Sequence, residues 1–537
     1  MDVLRQFQSF AWCKPDWCFP SMSKETNELL KQCADAPQIE LTDDVDEVIA
    51  RSKAFPIPFP VETVRLEKLK VRRPIEKLKK NIVSTYPLLH ERLLLLMTHF
   101  IIYKREFGSG IEKELYREMG VPQLIDRLLK KRAVAFMGAS DSYMLLSGEE
   151  GEDGWESIGT AAQRPPLVLA NCLSYDEMKL SSMLLVSGPT ECINDGERHN
   201  AGVVSEEGAE RDAIIIGAVG PRFERPGRME YEDVLITEEQ NSPENGYGEE
   251  VTPTTCLNVL RTTYVRNNQS ARHMWRQMWA EFYQVHSYTY EELTSYVNIQ
   301  DKTPEQRYTD RYVKLPSRDI FDNEVYYKRI SILAESVLLE ADARASETGR
   351  DAFLNVIGSG LGVWRVSAHQ ADVYVLTIVE RVRQLLRRDM LHHVTDVNLA
   401  YITTSPPIQA LFTNTSDANS KGEDTEKKIF IESKRHPKGG INVQILNREP
   451  SSRLTGPHEG KLLVMTYPWD GNAHPGNEFW FGSLTGSGDP AAACSTQVSE
   501  LHNALVNARV AARTARVAAP SAGGLRTLAE HSRTLAT

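Results

Sequence analysis

Two carboxylates stand eight positions apart in Tyr467-Pro-Trp-Asp470-Gly-Asn472-Ala-His-Pro-Gly476-Asn477-Glu478-Phe479-Trp480, a stretch otherwise made of turn-forming and aromatic residues. Carboxyls set beside Trp469, Phe479 and Trp480 are partly desolvated, which raises their pKa toward the range useful for acid–base work. Such a loop serves catalysis, or equally a capped and aromatic-packed structural turn. A second chemical segment is Ile357-Gly358-Ser359-Gly360-Leu361-Gly362-Val363-Trp364. Its three glycines permit close backbone approach, and a helix N-terminus beyond it would offer free N–H groups to a diphosphate. A tight turn at a strand end explains the same pattern. Asp489 in Ser487-Gly488-Asp489-Pro490 reads as a helix N-cap followed by proline at the first helical position, and as a possible third acid of the same crevice. In Gly217-Ala-Val-Gly220-Pro-Arg222-Phe223-Glu224, Arg222 suits a phosphate and Phe223 a base, although an Arg–Glu surface pair is as ordinary.

Each segment needs an element to hold it. Residues 213–217, 353–357, 397–402 and 461–465 are short apolar runs bounded by polar or glycine signals, as expected of buried strands. Between the second and third, Val375, Val379, Val382, Leu385 and Leu386 recur at helical spacing, giving a strand–loop–helix–strand unit. The fold class is therefore α/β. Residues 61–132 read as largely helical, and Met274, Trp275, Met278, Trp279 and Phe282 as a buried helix face. Two polar stretches, 238–254 and 414–427, read as surface loops interrupting a domain. The division expected is an N-terminal, mainly helical accessory region (1–130), a catalytic domain (131–507) and a poorly packed Ala/Arg-rich tail (508–537).

The chain has 537 residues, 62 Lys and Arg against 73 Asp and Glu, and 41% hydrophobic content, an ordinary globular composition. A pI near 5.7 argues against nucleic acid as a partner. Seven scattered cysteines, no basic-then-apolar leader and no long apolar run point to a reducing, cytoplasmic or nucleocytoplasmic setting without a membrane partner. No H-E-x-x-H, C-x-x-C, P-loop or G-x-S-x-G occurs, so neither a metal nor a cofactor is expected. The G-x-G-x-G spacing and the lack of a strand–G-x-G-x-x-G–helix unit also disfavour a nicotinamide-dependent oxidoreductase.

Taken together, residues 212–224 with Met229-Glu230, Asn355-Val-Ile-Gly-Ser-Gly-Leu-Gly-Val-Trp364, and Trp469-Asp-Gly-Asn-Ala-His-Pro-Gly-Asn-Glu-Phe-Trp480 followed by Ser487-Gly-Asp-Pro-Ala-Ala-Ala493 resemble the MavL-type macrodomain family over roughly residues 120–507. The resemblance implies a three-layer α/β/α macrodomain core and removal of ADP-ribose from protein arginine, with ubiquitin a possible carrier. It assigns residues 358–364 to the diphosphate, Asp470, Glu478 and Asp489 to the reactive centre, and Asn472, Gly476 and Phe479 to ligand contact. The triple-glycine and Gln-Glu-Glu signature of poly(ADP-ribose) glycohydrolases is missing, which argues against cleavage of long polymers. The Asn-Ala-Ala-Asn string of simple macrodomains is missing too. A non-catalytic reader of ADP-ribosylated proteins is the competing expectation; the two acids of the second loop favour the enzyme.

Overall fold

The computed structural model describes residues 6–7, 9–35, 41–205, 207–249, 259–412, 428–486 and 488–536, with the backbone alone for 259–270. The loop expected at 414–427, residues 250–254 of the other, and Ser487 lie outside the described residues.

Ten strands form the central sheet: β1 (Tyr86–His90), β2 (Leu185–Glu191), β3 (Asp212–Ala218), β4 (Ala352–Ile357), β5 (Val394–Ala400), β6 (Lys428–Glu432), β7 (Gly440–Ile445), β8 (Leu462–Pro468), β9 (Arg516–Ala519) and β10 (Gly524–Thr527). Their order across the sheet is β6-β7-β5-β4-β8-β3-β2-β1-β9-β10. The run β7-β5-β4-β8-β3 is parallel throughout. Its strands read as continuous apolar stretches because each is buried along nearly its whole length, as parallel strands covered on both faces must be. The four strands expected from apolar runs are all present, within a few residues of the expected bounds.

Five helices matter for the site: α1 (Glu91–Phe107), α2 (Val121–Lys130), α3 (Asn323–Thr348), α4 (His369–Arg387) and α5 (Asp489–Ser495). Asp322 caps α3 by accepting from the amides of Glu324 and Val325, and Gly349 ends it in the left-handed conformation. Because α3 crosses the sheet against strands from β5 to β10, it is buried nearly all round, and its buried charged groups are paired, as in Arg344–Glu340 at 2.7 Å.

The chain order explains where a crevice opens. From β3 the chain passes through α3 to β4, leaving a place between them that β8 fills more than a hundred residues later. The carboxyl ends of β3, β8 and β4 therefore lie side by side, where open α/β sheets bind their ligands.

Residues 61–132 are largely helical, as expected, and also supply β1, which sits inside the sheet, parallel to β9 and antiparallel to β2. One expectation is corrected here. The C-terminal residues are not a loose tail: Val517, Ala518 and Ala519 are buried in β9, β10 pairs with β9, and the helix Leu528–Leu535 packs on the helix Lys24–Ala34. A four-residue Ala/Val strand carries almost no local signal, and pairing with β1 supplies the hydrogen bonds that order it. In the helix Val259–Tyr283, Trp275, Met278, Trp279 and Phe282 are buried as expected, whereas Met274 is 39% exposed.

Candidate functional site

Three loops meet at the carboxyl ends of β3, β4 and β8. The first two touch through glycine. A side-chain carbon on Gly220 would lie 2.2 Å from the carbonyl carbon of Ser359 and 2.3 Å from the amide nitrogen of Gly360, so only hydrogen fits. Gly360 has φ +79° and itself abuts Gly220 Cα. Beyond it the backbone runs exposed, with Val363 85% accessible, and the amides of Gly362, Val363 and Trp364 find no acceptor among the described residues. Successive unspent N–H groups on an exposed turn suit an anion. The expected helix N-terminus does not directly follow, since α4 starts at His369, capped by Ala368. Gln370 instead ties the approach by accepting from the amides of Val366 and Ser367.

The third loop, residues 469–486, is built around burial. Trp469 lies under the Arg132 guanidinium, 4.2 Å from ring to charge, and donates from Nε1 to the Ala473 carbonyl. Asn477 clamps the loop to the strand Ala135–Met137, accepting from the Phe136 amide at 2.7 Å and donating to its carbonyl at 2.9 Å. Trp480 packs against Phe55 and Phe59, with ring centroids 5.0 and 4.9 Å apart. The N-terminal region is thus a wall of the site.

These contacts decide the electrostatics. Burial pushes the Asp470 carboxyl up to about 6, with Arg222 the strongest of the charges that hold it down. Its Oδ1 accepts from the Asn472 amide at 3.0 Å. Glu478, half-buried in the turn Asn477–Phe481, is likewise raised by burial. Asp489, fully enclosed, is pushed well above the usual carboxylate range by burial, and the charges of Asp470 and Glu478 add to the rise. The three acids expected from the sequence therefore share one electrostatic neighbourhood. Its role at the helix differs from expectation: Gly488 is the N-cap, and the Asp489 carboxylate accepts from the Gly476 amide at 3.0 and 3.1 Å, tying α5 to the reactive loop.

Other expected contacts are redistributed. Phe223 is 3% exposed and packs among Phe321 and Tyr326, so it offers no open face for a base. Phe479 is fully buried. Gly476, at φ +102°, spends its amide on Asp489 and serves the turn. Arg222 is buried over Phe136 and pairs with Asp141 and Glu224, not at the surface. Ser359 and Asn472 are buried, and the Ser359 hydroxyl and both side-chain polar atoms of Asn472 find no partner among the described residues; Leu361 is partly buried. Trp364 is half-buried and Gly358 packs on Leu361 and Ile402.

Sequence reasoning missed Arg132 and Asp141, and named Glu224 only as a surface partner of Arg222. Glu224 and Arg132 act on Asp470, and Asp141 holds Arg222 at 2.7 Å. Nothing in their local sequence sets them apart; a lone charge after a helix and an Asp in a turn acquire meaning only by position. Among the described residues no group of three His, Cys, Asp or Glu is placed to hold a metal ion, and no helix is long and apolar enough to cross a membrane.

The chain is 37% identical to ADP-ribosylarginine hydrolase CG3568 of Drosophila melanogaster over 484 residues, covering 90% of this chain and 87% of that one. It is 36% identical to ADP-ribosylarginine hydrolase CG2909 of the same fly over 494 residues, covering 91% and 90%. The family model described as ADP-ribosylhydrolase MavL-like matches residues 46–534, a span that takes in β1 and β9 as well as the three loops. The chain is an enzyme of the MavL-like ADP-ribosylhydrolase family.

Proposed function

We propose that this chain hydrolyses the N-glycosidic bond between ADP-ribose and arginine in proteins, ubiquitin among them, within a macrodomain-like core and in the cytoplasm. The observation that carries the reading is the cluster of Asp470, Glu478 and Asp489 after β8, together with the unspent amides of residues 362–364 after the neighbouring strand β4. The amides and Gly360 receive the diphosphate, and the free carboxamide of Asn472 faces ribose hydroxyls. The arginine-specific names of the two fly relatives support the choice of linkage.

The reaction adds one water. The bond from the anomeric carbon to the guanidine nitrogen breaks through an oxocarbenium-like transition state, stabilised by nearby carboxylate charge. Asp470 holds the ribose or the target guanidinium. Glu478, the more accessible acid, takes the proton of the attacking water, whose oxygen bonds to the anomeric carbon. The departing nitrogen recovers a proton, leaving intact arginine and ADP-ribose. Two carboxylates supply this chemistry, so ADP-ribose as ligand and product is the only small molecule the reading requires. Surplus negative charge favours a substrate bringing a guanidinium over one bringing a carboxylate ester.

The test is release of free ADP-ribose from arginine-, serine- and glutamate-linked substrates. Release is expected from the arginine linkage, with a preference that narrows in Asp470→Asn. Faster release from the glutamate linkage, or none from arginine, overturns the reading.

A further inference from the structure

The chain is acidic as a whole, with a net charge of −11, yet between Lys68 and Lys80 seven Lys and Arg stand against Glu76 alone. This stretch forms two short helices, Leu66–Lys70 and Ile75–Val83, joined by a turn at 71–74. Leu66, Leu69, Leu78 and Ile82 are buried beneath them, and the amides of Arg72 and Arg73 both donate to the Leu69 carbonyl at 2.9 Å, so the turn has a fixed shape.

Four of the seven cations are spent within the fold. Lys70 pairs with Asp46, Arg73 and Lys77 with Glu191 at 2.8 and 2.6 Å, Lys77 also with Asp212, and Lys79 with Asp43 at 3.1 Å. Lys68, Arg72 and Lys80 are exposed, and among the described residues they make no ion pair and no side-chain hydrogen bond. Between them Val71 is 87% accessible, more than any other large apolar side chain described, and Ile75 is 43% accessible. A single exposed aliphatic residue is ordinary. Two on one projecting turn, flanked by unspent cations, form the pattern of a surface that meets anionic lipid.

The ion pairs also fix where this turn lies. Glu191 ends β2 and stands opposite Asp212, which begins β3. The crevice opens at the other end of this seven-residue strand, about 20 Å away. Docking through the turn therefore leaves the crevice free for substrate.

We propose that the turn Val71–Ile75, with Lys68, Arg72 and Lys80, docks the protein on an anionic lipid surface, Val71 entering the acyl boundary while the three cations meet headgroup charge. This is a peripheral contact and not a span, and it does not depend on the hydrolase reading. An acidic protein would match the charge as well, but a stable protein interface takes about 800 Å² from each partner, and a turn that projects into solvent supplies only a tip. A bilayer deforms around a tip.

The test is flotation of the full-length protein with vesicles of phosphatidylcholine alone and with about 30% phosphatidylserine, at physiological ionic strength and at higher salt. Binding is expected to the anionic vesicles only, and it should weaken as salt rises. Lys68→Gln with Arg72→Gln and Lys80→Gln should lower the affinity about 10²-fold, since each cation near such a surface contributes roughly a factor of five. Val71→Ser should lower it about tenfold, with the melting temperature unchanged in both variants because these side chains stand clear of the core. In Val71→Trp, brominated acyl chains should quench the added fluorescence, which places the tip below the headgroups. Failure to bind anionic vesicles, equal binding to neutral ones, or anionic binding that the triple variant retains overturns the proposal. Binding without quenching in Val71→Trp overturns it too, and assigns the cations to a soluble polyanion such as an acidic protein surface.

Discussion

Replacing Gly220 by alanine tests how the loops are joined. The added methyl would lie 2.2 Å from the Ser359 carbonyl carbon, whereas ordinary contact begins at 3.4 Å, so one loop must retreat by about 1 Å. Neither has slack: Gly220 precedes Pro221 and the Glu230-anchored Arg222 amide, and Ser359 lies two residues past the end of β4. Overpacking of this kind costs about 1–3 kcal/mol, within the usual stability of a folded domain, so the variant should fold with a melting temperature lowered by a few degrees. Function should suffer more. A 1 Å misplacement of a binding element costs about 10² in rate, and the displaced peptide belongs to the turn that presents the free amides. The assay is ADP-ribose affinity by calorimetry together with kcat/KM on arginine-linked substrate. Gly110→Ala is the control, since a carbon there meets nothing within 4 Å. Affinity and turnover within twofold of wild type in folded Gly220→Ala would show that the junction of the two loops does not shape the ligand site.

Three further outcomes follow from the same geometry. Glu478→Gln should keep ADP-ribose affinity within a few-fold while turnover falls by about 10²–10⁴, the usual contribution of a general base; near-normal turnover removes Glu478 from the reaction. Asp470 titrates at about 6 in the fold against 3.8 when exposed, so its ionised form destabilises the fold above that window and contributes nothing below it. Asp470→Asn should accordingly be more stable than wild type by up to about 3 kcal/mol at pH 8, with the difference vanishing by about pH 4 in urea titrations; an equal gain at both pH values contradicts the assignment. Asn477→Ala leaves the amide and carbonyl of Phe136 without their partners, and the loss should be about 1–3 kcal/mol for each buried group. An unchanged denaturation midpoint would mean that the clamp does not hold the loop.

The N-terminal region enters this picture through packing. Phe55 and Phe59 close on Trp480, and His474 meets Phe55 edge-on at 6.0 Å, so truncation before residue 60 would unroof the reactive loop. Glu500 makes the same connection from the other side, accepting from the Leu66 amide at 2.6 Å and pairing with Arg65.

Much of the candidate site was legible in residue order because its chemical groups lie close together in the chain. The glycine string after β4 and the acid-and-aromatic loop after β8 each lie within a dozen residues, and a strand followed by such a loop places it at the carboxyl end of a sheet whatever the rest of the chain does. Burial of Asp470 was legible for the same reason, from the tryptophans flanking it. What sequence order could not reveal depended on contacts between distant segments. Phe223 and Phe479 read as candidate ligand contacts, and only the packing of Phe321, Tyr326 and the Ala135–Met137 strand turns them into core. Arg222 pairs with its neighbour Glu224 as local spacing suggested, but its shortest ion pair runs to Asp141, 81 residues away. The strands β1 and β9 carry four or five residues each, too few for periodicity to register, and they exist because each satisfies the other's backbone hydrogen bonds across more than 400 residues of chain. Local sequence determined which groups are candidates for the chemistry; the tertiary structure decided which charges surround them, since Coulomb energies depend on distance and burial and not on position in the chain.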